Sequence, residues 1–508
     1  MRVAPRLSLV AMIACVAGCA TAGAPSNPAA LPPALASGPT RASLRPFIDS
    51  MVDAPEFRSA NWGVLVVDPG RGETLYSRNA DKLFMPASNM KLLTGSTALV
   101  QLGPDFRWTT SLWARGPVRD GVLAGDLVVR GTGDPSVSAH MHQGDALAPL
   151  RALADSLRAH GVTRVHGHLV AAPSPFTDAP LGYGWSWSDL DDAYSAGVDA
   201  LYFNEGFSNV VVHGGAHAGD AVTATTRPAT TFPSLIVRAR TVAPLTKSSS
   251  AADSVLVRAG ITVGQDSSRA GVLVSGAVAA GDSAVAEITF RDQPAAYLLA
   301  MREAFTSRGI SIDGARTDTT ARMDSIATMY SPTLREVLPF FEKPSQNQIG
   351  ELLLKTLGLV KTGAGRADSG AAVVARQVVA WGAEKDGFAI HDGSGLSRHD
   401  YLSPRTIVHV LNAMRGHASF ALFYDALPIA GVDGTVGGRM KGTPAAGNVH
   451  AKTGTLDKAR SLSGYVTTAD GRILLFSALC NNYVVPTRRV DRVSDALAVR
   501  LASMRLDR

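Results

Sequence analysis

Two hairpin patterns at opposite ends of the chain frame everything between them. Near the start, Trp62-Gly63-Val64-Leu65-Val66-Val67-Asp68, a Pro69-Gly70-Arg71-Gly72 turn and residues 73–77 read as paired antiparallel strands. Near the end, residues 461–468, an Ala469-Asp470-Gly471 turn and residues 472–479 repeat the pattern. Residues 487–504 then place Val490, Val493, Leu497 and Leu501 on one helical stripe. One sheet is therefore expected to draw strands from both ends. Residues 105–290 change texture, with short Val-rich strands, frequent Gly and Asp turns, and little helical periodicity outside 147–160. That stretch reads as a β-rich insertion. Helical pattern resumes at Pro294-Ala295-Ala296-Tyr297-Leu298-Leu299-Ala300-Met301, where the chain is expected to rejoin the first domain. The expected fold class is α/β, an antiparallel sheet flanked by helices, built from residues 43–104 and 291–508 around inserted β-rich domains at 105–290.

Ahead of this body, Arg2 and Arg6 precede an apolar run, 7–17, too short to span a bilayer comfortably. This is the layout of an export signal. Val16-Ala17-Gly18-Cys19 resembles a bacterial lipobox, in which Cys19 becomes the lipid-bearing first residue; the rival is ordinary cleavage after Ala20-Thr21-Ala22 or Ala22-Gly23-Ala24. Either way the protein is expected to be exported and periplasmic, with membrane contact through a lipid anchor if Cys19 is modified. Residues 20–42, rich in Ala, Pro, Ser and Gly, read as a flexible tether. Cys480 alone is left in the body, so no internal disulfide is available, and its apolar run marks a packed core thiol.

A body of this length with 46% hydrophobic residues exceeds one ordinary core and implies two or more domains. The net charge of +6 suits an anionic partner or membrane surface, but only 18% of residues are charged and no dense Lys/Arg run occurs, which argues against nucleic acid. Paired cysteines and an H-E-x-x-H are missing and the twelve histidines are scattered, so no metal or other cofactor is expected.

The chemistry concentrates in three short clusters. Met85-Pro86-Ala87-Ser88-Asn89-Met90-Lys91 places a hydroxyl and an amine three residues apart at a helix start, with Pro86 at the first turn and Gly103-Pro104 as the stop. Residues i and i+3 share a helix face about 5–6 Å apart, within reach of the lysine. Of ten lysines, only Lys91 has this S-x-x-K spacing. Taken alone, the pair reads better as a capping serine and a solvated lysine. Second, Lys343-Pro344-Ser345-Gln346-Asn347 precedes a helix expected at 348–357. The same S-x-N pattern recurs at Ser59-Ala60-Asn61 and Ser77-Arg78-Asn79, but only the copy at 345 lies between the other clusters. Third, His450-Ala451-Lys452-Thr453-Gly454-Thr455 leads into the second hairpin and is expected to line an edge strand. Lys361-Thr362-Gly363 spells the same tripeptide, but it follows a helical run and its glycine reads as a C-cap.

S-x-x-K, S-x-N and K-T-G in this order resemble the motif set of penicillin-binding proteins and β-lactamases. The long interval from Ser88 to Ser345 resembles the class C low-molecular-mass penicillin-binding proteins, the D-alanyl-D-alanine carboxypeptidase/endopeptidase family. The resemblance continues through Gly131-Thr132-Gly133-Asp134-Pro135, Tyr183-Gly184-Trp185-Ser186-Trp187-Ser188-Asp189-Leu190-Asp191, Phe203-Asn204-Glu205, Asp392-Gly393-Ser394-Gly395-Leu396-Ser397-Arg398 and Gly431-Val432-Asp433-Gly434-Thr435. Gln346 departs from it, standing where the family usually has Asp.

The resemblance implies a transpeptidase-like catalytic domain and a serine DD-peptidase acting on peptidoglycan peptides that end in D-Ala-D-Ala. β-Lactams would be inhibitors that acylate the same serine. It implies Ser88 as nucleophile, Lys91 as its base and Ser345 as a proton relay. Asn347, Lys452, Thr453, Gly454 and Thr455 would bind substrate. A free lysine has a pKa near 10.4, so burial and a second cation, Lys452, must lower that of Lys91 by roughly 2–3 units. The backbone N–H groups of Ser88 and Thr455 would meet the oxyanion. The Asp392–Arg398 loop reads either as a border of the cleft or as a structural turn. The competing readings are a serine β-lactamase and a non-catalytic β-lactam- or wall-binding module.

Overall fold

The computed structural model describes residues 39–190, 192–245, 260–265 and 271–506. Cys19, the export segment and the tether up to residue 38 lie outside the described residues. The compact unit begins at Pro39, whose carbonyl accepts from Arg505 N at 3.3 Å, so the body starts a few residues before the expected end of the tether.

The central sheet has five antiparallel strands in the order Glu73–Arg78, Asn61–Asp68, Ile473–Asn481, Ala459–Thr467, His450–Leu456. As the two hairpin patterns require, it joins both ends of the chain, with Val64 opposite Ala478 and Arg460 opposite Cys480. Alternation divides each strand between two cores. Val64, Val66, Leu462, Phe476 and Cys480 pack on one face with helices Leu44–Val52 and Thr487–Ser503. Leu65, Tyr465, Leu475 and Leu479 point to the other face. There they meet a helical layer that includes Met90–Leu102, Leu334–Glu342, Asn347–Thr362, Ala367–Ala380 and Pro404–Arg415. His450–Leu456 is the edge strand, as expected, and Cys480 is fully buried.

The insertion is longer than the expected 105–290. Strand Thr109–Arg115 pairs with Met323–Tyr330, which closes the inserted region near residue 330. Helix Gln293–Ser307, expected to start the return, instead buries Ala296, Tyr297, Ala300, Met301, Ala304 and Phe305 against Leu150, Leu153 and Leu157 of helix Ala148–Ala159. Its apolar residues announce a helix, but nothing in one chain's pattern says which core that helix enters. The chain rejoins the central sheet's helical layer at Leu334. Within the insertion a second, smaller core of Val210, Val212, Val272, Val274 and Ile288 holds short sheets together.

Candidate active site

Ser88 sits in a 3-10 turn, Ala87–Asn89, that feeds helix Met90–Leu102. The turn is entered through Ala87 at φ 48°, a left-handed conformation unusual for alanine. The edge strand and its neighbour lock it: Asn89 Nδ2 donates to the Lys452 carbonyl at 2.8 Å, and Ser461 Oγ, on strand Ala459–Thr467, donates to the Pro86 carbonyl at 2.7 Å. This approach is why Gly454 has no side chain, since a Cβ there would lie 2.5 Å from the Pro86 oxygen.

Lys91, one turn along, is fully buried. Its Nζ is 2.9 Å from Ser88 Oγ, 2.6 Å from Asn347 Oδ1 and 2.7 Å from the Ser394 carbonyl. Amide and carbonyl oxygens only accept, so both of these directions hold N–H bonds. The third direction faces Ser88, and an uncharged amine presents its lone pair there. Burial, followed by the nearby positive Lys452, pulls the Lys91 pKa down to about 7. Asn347 Nδ2 donates to the Tyr194 carbonyl at 2.8 Å, which fixes its Oδ1 on Lys91. A hold of Asn347 on a substrate peptide requires that amide to exchange the Tyr194 carbonyl for a substrate carbonyl.

Lys452 is also fully buried, and its Nζ donates to Ser345 Oγ at 2.7 Å. Ser345 has φ 66°, another strained position, directly before helix Asn347–Thr362. Thr453 Oγ1 donates to Thr435 Oγ1 at 2.6 Å. Thr455 is exposed and its hydroxyl accepts from Arg460, its cross-strand neighbour. The structure thus gathers Ser88, Lys91, Ser345, Asn347, Lys452, Thr453, Gly454 and Thr455 around one edge of the sheet. The second K-T-G lies elsewhere: Lys361 and Thr362 end a helix, and Gly363, at φ 78°, caps it by donating to the Leu359 carbonyl at 3.0 Å. That helix outruns the expected 348–357 because Gly358 is packed inside it and the terminating glycine, Gly363, comes later.

A family model described as the D-Ala-D-Ala carboxypeptidase 3 (S13) family matches residues 44–504. The chain belongs to this family. Among curated relatives, the S13 chain is 35% identical over 491 residues to the D-alanyl-D-alanine carboxypeptidase of Actinomadura sp. (strain R39), covering 92% of this chain and 87% of that protein. It is 26% identical to the D-alanyl-D-alanine carboxypeptidase DacB of Haemophilus influenzae, covering 84% and 86%. The crystal structure of penicillin binding protein 4 (dacB) from Haemophilus influenzae shares the fold, with a TM-score of 0.73 at 22% identity over 89% of this chain and 98% of that one.

Several residues at the candidate site lie outside the three motifs. Asp392 is wrapped by its own loop, accepting from Gly395 N at 2.6 Å, Ser397 N at 2.6 Å and Trp185 Nε1 at 2.9 Å. Glu351 accepts from Gly393 N and Ser394 N at 3.1 and 3.0 Å. The loop is therefore both a structural turn and a border of the site, because its Ser394 carbonyl holds Lys91. Glu351 does carry a sequence signal: it lies at i+4 from Asn347, on the same helix face. Glu342 carries none. It is fully buried, neither oxygen has a hydrogen-bond partner among the described residues, and burial raises its pKa while Lys452 and Lys91 oppose the shift.

Proposed function

We propose that this S13 carboxypeptidase cleaves the bond between two terminal D-alanines of peptidoglycan stem peptides, with Ser88 as nucleophile and Lys91 as base. The observation that carries this reading is the buried Lys91 amine, with two directions spent on acceptors and the third 2.9 Å from Ser88 Oγ. Ser88 Oγ bonds to the carbonyl carbon and passes its proton to Lys91. Negative charge grows on the carbonyl oxygen, toward the N–H groups of Ser88 and Thr455 and the positive end of the serine helix. Losing one such donor typically costs about 2.7–4 kcal/mol. Collapse breaks the C–N bond, and a proton reaches the leaving D-alanine amine through Ser345, which Lys452 holds. Water then hydrolyses the ester and restores Ser88.

Lys452, Thr453 and Thr455 receive the substrate's terminal carboxylate, while Gly454 lets the strand come close to the serine turn. A β-lactam carboxylate fits the same lysine and threonine hydroxyls, so β-lactams acylate Ser88 and leave slowly. The acyl-enzyme also serves endopeptidase cleavage of a crosslink, since that reaction differs only in the leaving amine. Export places the enzyme in the periplasm, and Cys19 carries the lipid that anchors it. Replacing Cys19 by Ala moves the protein from the membrane to the soluble fraction if this is right; an unchanged distribution sinks the anchor.

The test of the site is intact-mass spectrometry with benzylpenicillin, and separately with a peptide ending in D-Ala-D-Ala. A long-lived adduct and D-alanine release, both lost in Ser88→Ala, are expected. Fast penicillin turnover with an untouched peptide would favour the β-lactamase reading. Neither adduct nor turnover would favour a binding module.

A further inference from the structure

Gln346 stands between two residues of the site, and its side chain has two partners. Its Oε1 accepts from Ile349 N at 3.0 Å, capping helix Asn347–Thr362. Its Nε2 donates to Glu205 Oε2 at 3.3 Å, across from the catalytic part of the chain to the insertion. Aspartate, usual here in the family, could cap the helix but has no proton to donate and would set a carboxylate against Glu205. Glutamine answers both demands.

Glu205 is held in place at some cost. Asn204 and Glu205 are consecutive non-glycine residues in the left-handed region, at φ 48° and 55°. Asn204 is pinned on three sides: its N donates to the Val137 carbonyl at 2.7 Å, Oδ1 accepts from Ala139 N at 3.0 Å, and Nδ2 donates to the Phe207 carbonyl at 2.6 Å. The Glu205 side chain is only 16% exposed, and His140 Nδ1 lies 3.4 Å from its other oxygen. The His140 ring packs edge-on against Phe340 at 5.1 Å, in the helix that leads to Ser345.

We propose that Glu205 is a positioning residue, which holds the Ser345-Gln346-Asn347 loop through Gln346 while His140 braces Glu205 from the far side. The proposal rests on the reading of Ser345 and Asn347 as site residues. Ser345 is strained, so the aim of its hydroxyl and of the Asn347 amide depends on how firmly the residue between them is tied. The brace is also pH-dependent. Glu205 is the charged group facing His140, Phe340 from the neighbouring helix is neutral, and the pairing with Glu205 raises the His140 pKa. A raised histidine pKa means that the charged brace is complete at low pH and is lost as pH rises through the folded-state value.

The test is the rate of Ser88 acylation by benzylpenicillin. Gln346→Asp should slow acylation about tenfold, and adding Glu205→Gln to it should restore most of the rate, because residue 205 then supplies the donor. The ratio of wild-type to His140→Phe rates should exceed one near about pH 6 and fall toward one near about pH 9. No loss in Gln346→Asp, no rescue by Glu205→Gln, or a ratio flat with pH would each overturn the proposal. A wild-type chain that takes no acyl group overturns the site reading, and this proposal with it; an acylated wild type with an indifferent Gln346→Asp overturns the tie alone.

Discussion

Asn347 Oδ1 lies 2.6 Å from Lys91 Nζ, so a residue of the second motif orients the lysine of the first, the proposed base. Because an amide oxygen only accepts, it keeps an N–H of Lys91 directed toward itself and leaves the lone pair free to face Ser88.

The pH dependence of acylation follows from the state of this lysine. Its pKa is lowered from 10.5 to about 7, so the uncharged base accumulates as pH rises through that value. The acylation rate with benzylpenicillin should climb from pH 6 and level off above about pH 8. Lys91→Met should lower the plateau by about a hundredfold or more. A rate independent of pH over this range would contradict the assignment of Lys91 as base.

Glu342 offers a separate probe of the same electrostatics. Its carboxylate raises the pKa of both Lys91 and Lys452, so Glu342→Gln should let each fall further. The midpoint of the pH–rate curve is expected to move to lower pH by up to about one unit. A midpoint that stays in place would mean that the carboxyl is uncharged throughout the working range.

Gly454→Ala tests the packing of the serine turn on the edge strand. With the Pro86 oxygen 2.5 Å from the new Cβ, strand and turn must part. We expect a loss of about 1–3 kcal/mol in thermal unfolding and a larger proportional loss of acylation. Full activity in a stable variant would show that the close approach is dispensable.

The two K-T-G sequences should separate cleanly. Lys361→Ala, at an exposed helix end, should leave acylation within about twofold of wild type, as surface changes generally do. Lys452→Ala removes the partner of Ser345 Oγ and should cost about a hundredfold in peptide hydrolysis. Comparable losses in both would undo the distinction between strand and cap.

Much of this architecture is legible in the amino-acid sequence. Strand alternation at Val64, Val66, Leu474 and Phe476 separates two cores, and the three motifs converge on one sheet edge. What stays hidden depends on contacts that leave no local pattern. Helix Gln293–Ser307 has the same apolar stripe whichever core receives it, so periodicity alone ends the insertion too early. Glu342 looks like any charged residue closing an amphipathic helix, and the Ser394 carbonyl that holds Lys91 is backbone, which no side-chain motif can announce. The partners of Gln346 are hidden in the same way, since Glu205 lies 141 positions earlier in the chain.

The sheet that joins Asn61–Asp68 to Ile473–Asn481 also sets the order in which the enzyme can be made. Ser88 and Lys91 leave the ribosome early, but Lys452 and the strand that carries it follow 361 residues later. Until then the serine has neither the neighbouring cation nor the edge strand that locks its turn, and the first hairpin waits with an open edge. The insertion, whose two larger cores are its own, can fold during that wait. A hydrolase of this design assembles its site only when the hairpin that bears Lys452 docks.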